Sequence, residues 1–262
     1  QRLEQRTLFD LEMLEATGIA SDRLPPVTES TSVAGTLQSA SAEALGLTDG
    51  IPVVVGTGDA ASGLLGSGTI DPARMLLSLS TGAQVMVAAT GVHPDPFGRT
   101  HTFCSALEPS ATTPGWYTMG ATLVAGMALK WLRDEMFQLG GADAYDRMAG
   151  WARDSPVGAG GLLFLPYLVG ERTPYMDSRA RGAFLGLAAH HDRGDIVRAV
   201  MEGVTFACLD AYDVLVEQGA SPDQIVMTGG GARSPFWRQV VADVFDLPVR
   251  ALANTDQAAL GA

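Results

Sequence analysis

The sequence predicts a mixed α/β domain, on three observations. Short apolar runs rich in β-branched residues alternate with longer segments in which apolar residues recur at helical spacing. Glycine-rich turns follow several predicted strands, and such turns let ligand phosphates approach the backbone. The 262 residues, 47% hydrophobic and 18% charged, are enough for one large domain with a substantial core. The pattern alone therefore predicts an α/β domain that can bind a nucleotide.

The N-terminal part of the chain predicts two helices and a strand. Residues 1–20 carry leucines at helical spacing, and Gly18 is suited to ending that helix. Residues 22–32 contain two prolines and predict turns. A second helix is predicted over residues 36–47. Residues 52–56 form a β-branched run that ends in glycine, which is typical of a buried strand.

The rest of the chain continues the alternation of strands and helices. Strands are predicted over residues 75–79, 85–89, 116–119, 162–168 and 225–227, and another begins at Val249. Helices are predicted over residues 123–139, 142–151, 195–218 and 235–245. The first two of these strands flank a Thr81–Gly82 turn, and the strand over 225–227 runs into three glycines.

Net charge and cysteine content exclude several classes of function. The formal net charge is −12, and because such a surface repels a phosphate backbone, no nucleic-acid partner is expected. The rather apolar stretch 116–132 contains Lys130 and is too short to span a bilayer, so no membrane association is expected. The opening residues lack the apolar run of a signal peptide. Cys104 and Cys208 have no metal-binding spacing, so we expect two reduced, mostly buried thiols in a cytoplasmic protein.

Asp59 is the candidate catalytic residue. It stands in the run Gly-Asp-Ala-Ala, directly after the strand predicted over residues 52–56. A carboxylate at a strand end can accept the proton of a substrate hydroxyl as that hydroxyl attacks a γ-phosphate. The alternative is that Asp59 caps the helix that follows, which is a very common use of aspartate. Spacing alone favours the cap.

Two turns are candidate contacts for a nucleotide. The small residues of Ser80–Ala83 can offer backbone N–H groups and a hydroxyl to phosphate oxygens, although a plain hairpin turn has the same composition. Gly229–Ser234 joins a strand to a helix, and backbone without side chains can approach a flat base and a ribose. Three glycines alone are a weak signal. Gly126, near the start of a predicted helix, is equally explained by helix packing.

Two longer segments resemble the FGGY family of carbohydrate kinases. The run from Gly182 to Glu202 reads Gly-Ala-Phe-Leu-Gly-Leu, then seven residues, then Asp-Ile-Val-Arg-Ala-Val-Met-Glu, and every position fits the family's second signature. Pro166 to Asp177 is similar to the xylulokinase branch. The resemblance implies an α/β, actin-like ATPase (ribonuclease-H-like) fold with ATP between two domains. It also implies that residues 1–262 are the C-terminal ATP-binding domain, without the N-terminal sugar-binding domain, and that residues 256–262 begin a helix that continues in the family.

The resemblance also implies roles for single residues. Asp59 corresponds to the catalytic base, in contact with the sugar, and Thr81 with Gly82 to a phosphate loop. Gly126 corresponds to a glycine near the nucleotide, and Lys130 stands where relatives have glutamine. Gly229, Gly230, Gly231, Ala232 and Ser234 correspond to the family's adenosine motif. Trp237 and Gln239 follow them at the spacing found in the family. The serine stands where the family often has asparagine.

The function implied by the resemblance is ATP-dependent phosphorylation of a sugar hydroxyl. D-Xylulose is the expected substrate, and Mg²⁺ is expected to bridge the phosphates. Sugar and ATP are then the small-molecule partners, and a homodimer is allowed. The alternatives are a kinase of ribulose, fuculose or gluconate, a nucleotide-binding module without catalysis, and a sugar-sensing relative that has lost activity. The loop Glu171–Pro174 is either a clamp near the sugar or an ion-paired surface loop, and the sequence does not separate these readings.

Overall fold

One six-stranded mixed sheet organises the fold. The computed structural model of the protein describes residues 11–110, 113–252 and 257–262. The strands are β1 (Val33–Thr36), β2 (Pro52–Val54), β3 (Arg74–Leu79), β4 (Ala83–Ala89), β5 (His101–Cys104), β6 (Trp116–Thr122), β7 (Leu163–Leu165), β8 (Ala183–Leu185), β9 (Gln224–Thr228) and β10 (Val249–Ala251). The helices are α1 (Leu11–Thr17), α2 (Ser39–Leu45), α3 (Asp59–Ser67), α4 (Gly126–Trp131), α5 (Ala144–Asp154), α6 (Arg193–Glu217), α7 (Pro235–Phe245) and α8 (Gln257–Gly261).

The topology of the sheet brings four strand ends together. The strand order is β10-β9-β3-β4-β6-β5, with β3 parallel to β9 and antiparallel to β4. The carboxyl ends of β3 and β9 therefore meet at one edge, where Ser78 pairs with Thr228. At the same edge β4 begins and β6 ends, since Ala83 pairs with Thr122. The carboxyl ends of parallel strands in open α/β sheets are the usual place for a ligand.

The core lies on both faces of this sheet. Successive side chains of β3 point to opposite faces. Met75 and Leu77 belong to the larger core cluster, together with Val200 of α6, whereas Leu76 packs in a smaller cluster with Leu64 of α3. Full burial of each such side chain stabilises the fold by roughly 1.5–3 kcal/mol. α6 and α3 are therefore the covering layers, and α3 carries Asp59 at its first position.

The predicted helix over residues 195–218 is confirmed as α6, Arg193–Glu217. It begins with a reciprocal cap. Asp192 Oδ1 accepts the N–H groups of Gly194 at 2.7 Å and Asp195 at 3.2 Å, and the carboxylate of Asp195 accepts the N–H of Asp192 at 3.0 Å. Losing such a cap typically costs about 1 kcal/mol.

The strand predicted over residues 52–56 exists as β2, but the prediction that it is buried is wrong. Val53 and Val54 are 45% and 46% exposed. β2 pairs with β1, a strand that the sequence reasoning missed, in a separate two-stranded ribbon. All residues of this ribbon are exposed. The first predicted helix is observed only as α1, because residues 1–10 lie outside the described residues.

Two other segments are shorter than predicted. The helix expected over residues 123–139 is α4 followed by a π-helical turn, Leu132–Met136. It starts only at Gly126 because Ala125, with φ −135° and ψ −97°, is not helical and donates its N–H to Thr81 O. The strand expected over residues 162–168 is the three-residue β7, which ends before a proline that lacks a backbone donor. β5 and β8 were missed, and β8 lies inside the Gly182–Glu202 signature.

The cysteine prediction needs one correction. Cys104 and Cys208 are both free, but Cys104 is exposed and only Cys208 is buried. Burial raises the pKa of the Cys208 thiol to about 12, so this thiol stays protonated at neutral pH. None of the helices in the described part of the chain has the length and apolar character that crossing a bilayer requires.

We expect Asp95→Asn to destabilise the fold at pH 7. Arg99 bonds Asp95 at 2.8 Å and also Glu217 of α6 at 2.8 Å, and the Arg99 guanidinium lowers the pKa of Asp95 from 3.8 to about 2. A carboxyl group whose pKa is lower in the folded than in the unfolded state stabilises the fold at pH values above its unfolded pKa. This stabilisation is lost as the pH falls towards the folded pKa. After a discount for solvent screening we expect a loss of about 1–2 kcal/mol at pH 7.

The measurement for Asp95→Asn is urea unfolding between pH 7 and pH 3, with the exposed Asp223→Asn as the matched control. The gap between the variant and the wild type should narrow as the pH falls below about 4. A gap that is absent at pH 7, or that does not depend on pH, would contradict this account of the loop that Asp95 and Arg99 hold against α6.

Candidate functional site

A cavity of about 430 Å³ lies where β3, β4, β6 and β9 meet at the edge of the sheet. Its polar lining includes Asp59, Ser78, Ser80, Thr81, Gln84, Thr122, Arg172 and Thr228. Hydroxyl side chains are the most numerous polar groups in this lining. Within the described residues, the lining contains one carboxylate, that of Asp59, and one cation, that of Arg172.

Asp59 is the first residue of α3 and is exposed beside the cavity. The residue at the N-cap position is Gly58, so Asp59 is not the cap that spacing alone favoured. Asp59 Oδ1 accepts the N–H of Ala60 at 2.9 Å, and within the described residues Oδ2 has no hydrogen-bond partner. One carboxylate oxygen therefore remains free to accept a proton from a ligand.

The predicted turn at Thr81 and Gly82 is present and lines the cavity. Ser80 N–H donates to Gly82 O at 3.0 Å, which closes the hairpin of β3 and β4. Gly82 is required by a close approach, because a Cβ there would lie 2.5 Å from Thr122 O. Behind the turn, Thr81 O accepts the N–H of Ala125 at 2.8 Å. The segment that follows β6 therefore holds the turn in place while its other side faces the cavity.

The three glycines of Gly229–Ser234 differ in their surroundings. Gly229 has φ +80°, and a Cβ there would lie 2.5 Å from Leu79 O. A Cβ on Gly231 would lie 2.7 Å from Leu79 Cβ, whereas a Cβ on Gly230 would meet nothing within 4 Å. Two of the glycines are therefore required by packing against the end of β3. Gly230 faces open space, one residue past Gly229, which itself follows the cavity-lining Thr228.

Ser234 and Trp237 have structural roles in this segment. Ser234 Oγ caps α7 by accepting the N–H of Trp237 at 3.2 Å. Trp237 is buried, and its Nε1 donates to Thr205 Oγ1 at 3.1 Å. Gln239 is bonded to Asp243 at 2.7 Å. These contacts position the turn but leave the backbone at Gly230 as the part that is open to a ligand.

Gly126 and Lys130 do not line the cavity within the described structure. Gly126 N–H donates to Ser80 O at 2.8 Å, and a Cβ on Gly126 would lie 2.5 Å from the same oxygen. These contacts agree with the packing explanation for Gly126. They support the Thr81–Gly82 turn on the side away from the cavity. Lys130 is exposed and pairs with Asp134 at 2.9 Å. A contact of either residue with a nucleotide stays a prediction.

The loop Glu171–Pro174 packs against the end of β6. Thr173 N–H donates to Ala121 O at 3.0 Å, and Ala121 N–H donates to Thr173 Oγ1 at 3.0 Å. Glu171 Oε1 accepts the N–H of Leu123 at 2.8 Å. Glu171 and Thr173 are each 2% exposed, so this is not the ion-paired surface loop of one sequence reading. Arg172, which lies between them in the chain, lines the cavity.

Burial shifts the pKa of two groups near the cavity. Burial raises the pKa of the Glu171 carboxyl, against the opposing effect of the N–H groups of Leu123 and Arg172. Burial and, to a lesser extent, the charge of Asp59 raise the pKa of Tyr117 to about 12. Within the described residues, Glu171 Oε2 and Thr122 Oγ1 are buried without a hydrogen-bond partner.

The structure brings together some predicted site residues and adds others. Asp59, Thr81 and Gly82 line one cavity, and their catalytic and binding roles stay predictions. Sequence reasoning missed Gln84, Thr122 and Thr228 and left Arg172 undecided. The two threonines end β6 and β9, so polar residues at predicted strand ends were the available signal. Gln84 is the polar residue in the otherwise apolar β4.

Two profiles of one family match this chain. The profile described as "FGGY family of carbohydrate kinases, C-terminal domain" matches residues 75–262. The profile of the N-terminal domain of the same family matches residues 4–66. The assignment of all residues 1–262 to the C-terminal domain stays a prediction.

Individual relatives have the same sequence pattern and fold. A xylulose kinase of Staphylococcus epidermidis is 34% identical over 241 residues, which cover 92% of this chain and 47% of the relative. A gluconokinase of Bacillus subtilis is 31% identical over 97% of this chain and 50% of the relative. The ligand-bound xylulose kinase from Lactobacillus acidophilus superposes with a TM-score of 0.87 at 28% identity, over 97% of this chain and 50% of that structure. The chain thus spans about half the length of the relatives it matches.

The fold agrees with these matches. The mixed sheet with α6 and α3 on its two faces is the actin-like ATPase architecture that the resemblance implied, and this prediction is confirmed by the superposition. A profile match over residues 75–262 and an identity of 34% over 92% of the chain support the same assignment. The chain therefore belongs to the FGGY family of carbohydrate kinases.

Proposed function

We propose that the full-length protein containing this chain transfers the γ-phosphoryl group of ATP to a sugar hydroxyl. The observation that carries the proposal is that Asp59 and the Thr81–Gly82 turn line one cavity. A carboxylate with a free oxygen, next to a turn that exposes backbone to phosphates, meets the two main needs of phosphoryl transfer, which are a base and a phosphate holder. Membership of a carbohydrate kinase family supports the same reaction.

Asp59 is the general base in this proposal. The sugar hydroxyl oxygen forms a bond to the γ-phosphorus while its proton passes to Asp59 Oδ2, since Oδ1 is already bonded to Ala60 N–H. The bond between the γ-phosphorus and the bridging oxygen breaks, and its electron pair leaves with ADP. Within the described residues Asp59 Oδ2 has no hydrogen-bond partner, so this oxygen is free to accept that proton.

The nucleotide lies across two neighbouring turns in this proposal. The triphosphate contacts Thr81 and Gly82, and the adenosine lies against Gly230. The adjacency of the two turns supports this placement, since a Cβ on Gly229 would lie 2.7 Å from Ser80 Oγ. The lining also supplies hydroxyl and carboxylate oxygens, the donor class that suits Mg²⁺. When bound, that ion neutralises charge on the phosphates.

D-Xylulose is the sugar we propose, and gluconate is the second candidate. The identity to a xylulose kinase is 34% and that to a gluconokinase is 31%. The test is ADP release by the full-length protein with D-xylulose, ribulose, fuculose and gluconate, and mass spectrometry of the products. We expect kcat/KM for D-xylulose to be at least about tenfold the highest of the others. A preference for gluconate would refute the choice of sugar, and no phosphorylated product would refute the reaction.

We expect Gly230→Trp in the full-length protein to weaken ATP binding by about tenfold or more. The new side chain enters the open space over the turn, which is where the adenosine is placed, and a Cβ there meets nothing within 4 Å. The fold should therefore be unaffected. Gly140→Trp is the matched control, because Gly140 is also exposed with nothing within 4 Å of its Cβ. Calorimetry that finds unchanged ATP affinity and weaker sugar affinity would show that the adenosine site is misplaced.

A further inference from the structure

Arg172 is a cation to which the proposed reaction assigns no role. It lines the same cavity as Asp59 and Thr81 and is partly buried. Its Nη2 lies 2.7 Å from His101 Nε2, and because a guanidinium can only donate, that ring nitrogen is the acceptor. Within the described residues, no carboxylate lies within 4.0 Å of this guanidinium, unlike Arg99 and Arg198, which both have such partners. Arg172 thus brings a positive charge without an ion-pair partner within 4.0 Å, and further N–H donors, to the cavity.

Glu171 connects the backbone of Arg172 to the segment that supports the Thr81–Gly82 turn. The same Glu171 Oε1 accepts the N–H of Leu123 at 2.8 Å and the N–H of Arg172 at 2.7 Å. Leu123 follows Thr122, whose carbonyl oxygen is the atom against which Gly82 packs. One buried carboxylate therefore connects the segment that supports the Thr81–Gly82 turn to the backbone of Arg172. The guanidinium itself is held by His101 Nε2.

We propose that Arg172 binds the phosphoryl group as it is transferred and that Glu171 is a positioning residue that holds Arg172 there. Charge on the transferred phosphoryl oxygens is stabilised by fixed cations, and an arginine presents several donors to such oxygens at once. It lines the same cavity as Asp59 and Thr81, which is where the proposed reaction brings together the hydroxyl, the base and the γ-phosphate. The inference rests on the proposed function and names a further residue that touches the reacting group.

The test compares Arg172→Gln and Arg172→Ala with the wild type in steady-state kinetics of the full-length protein. We expect kcat of Arg172→Gln to fall about 100-fold or more and KM for the sugar to change less than about threefold, because the lost contact acts in the transition state. Guanidinium chloride, added to Arg172→Ala at concentrations well below denaturing ones, should restore part of kcat. Arg179→Gln is the matched control, since Arg179 is on the same segment and its side chain is 92% exposed.

Glu171 is tested through its conservative variant. Glu171→Gln retains a carbonyl oxygen that can accept both N–H groups, so it should keep most of kcat, whereas Glu171→Ala should lose kcat as Arg172→Gln does. Equal losses in Gln and Ala would contradict the positioning role.

Three results would overturn the role of Arg172. A retained kcat in Arg172→Gln would show that the guanidinium does not act in the step. A rise of about tenfold in the sugar KM with wild-type kcat would place Arg172 on the sugar. A loss of kcat that guanidinium does not restore would reduce Arg172 to a structural residue. If the wild type itself phosphorylates no sugar, the proposed function fails and this inference fails with it; a wild type and an Arg172→Gln that are both active remove the inference alone.

Discussion

Asp59→Asn in the full-length protein should lower kcat by about 10³-fold or more, while ATP still binds. The substitution keeps the shape of the side chain and its hydrogen bond to Ala60 N–H, but it removes the oxygen that accepts the hydroxyl proton. The measurement is steady-state ADP release with D-xylulose, together with calorimetric ATP binding. Asp71→Asn is the matched control because it makes the same charge change outside the cavity lining.

A retained tenth of the wild-type kcat in Asp59→Asn would contradict the assignment of the general base. The same would follow if Asp71→Asn lost as much activity, because the loss would then reflect charge in general. A variant that loses ATP binding together with kcat would assign Asp59 to nucleotide binding instead.

The 262-residue chain on its own should phosphorylate sugar at least about 10³-fold less efficiently than the full-length protein. Asp59 is exposed in this chain, so water is not excluded from the carboxylate, and closure of a site around ATP and sugar is what aligns the γ-phosphate with the hydroxyl. The chain also spans about half the length of its relatives. The measurement is a coupled ADP-release assay on the isolated chain, with circular dichroism to establish that it is folded.

Turnover by the isolated chain that depends on Asp59 would show that the cavity described above contains a sufficient active site. Turnover that survives Asp59→Asn would instead indicate a contaminating kinase. A folded isolated chain that binds ATP without catalysis would match the alternative of a nucleotide-binding module for this part of the protein.

The parts of the fold that the sequence predicts well are those with local causes. Residues 195–218 have helical periodicity, and Asp192 and Asp195 stand at the N-cap and N3 positions where α6 begins. The hairpin around Thr81 and Gly82 follows from two apolar runs separated by small residues. These elements carry their own turn and cap chemistry, so tertiary context changes them little.

The parts that were not predictable depend on contacts between distant segments. Residues 52–56 look like a buried strand because the apolar run does not reveal what covers it, and in the described structure β2 is exposed. Gly126 looks like a nucleotide contact in the family, but its packing against Ser80 O is a meeting of residues 46 positions apart that no spacing shows.

The candidate site also combines residues that short motifs reveal with residues that depend on contacts between distant segments. Asp59, Thr81 and Gly82 were found from short motifs, and the structure places them in one cavity. Arg172 could not be assigned from the sequence, because its role depends on the bonds from Glu171 to Leu123 and from Thr173 to Ala121. Only the folded chain shows that the loop packs on β6 instead of lying at the surface.

A crystal structure of the full-length protein with a non-hydrolysable ATP analogue and D-xylulose would show whether the cavity at the ends of β3 and β9 holds both substrates. We predict that the β- and γ-phosphates lie against Thr81 and Gly82, the adenosine against Gly230, and the sugar hydroxyl within hydrogen-bond distance of Asp59 Oδ2. A nucleotide bound away from the edge where β3 and β9 end, or a sugar whose nearest acceptor is another carboxylate, would contradict the account.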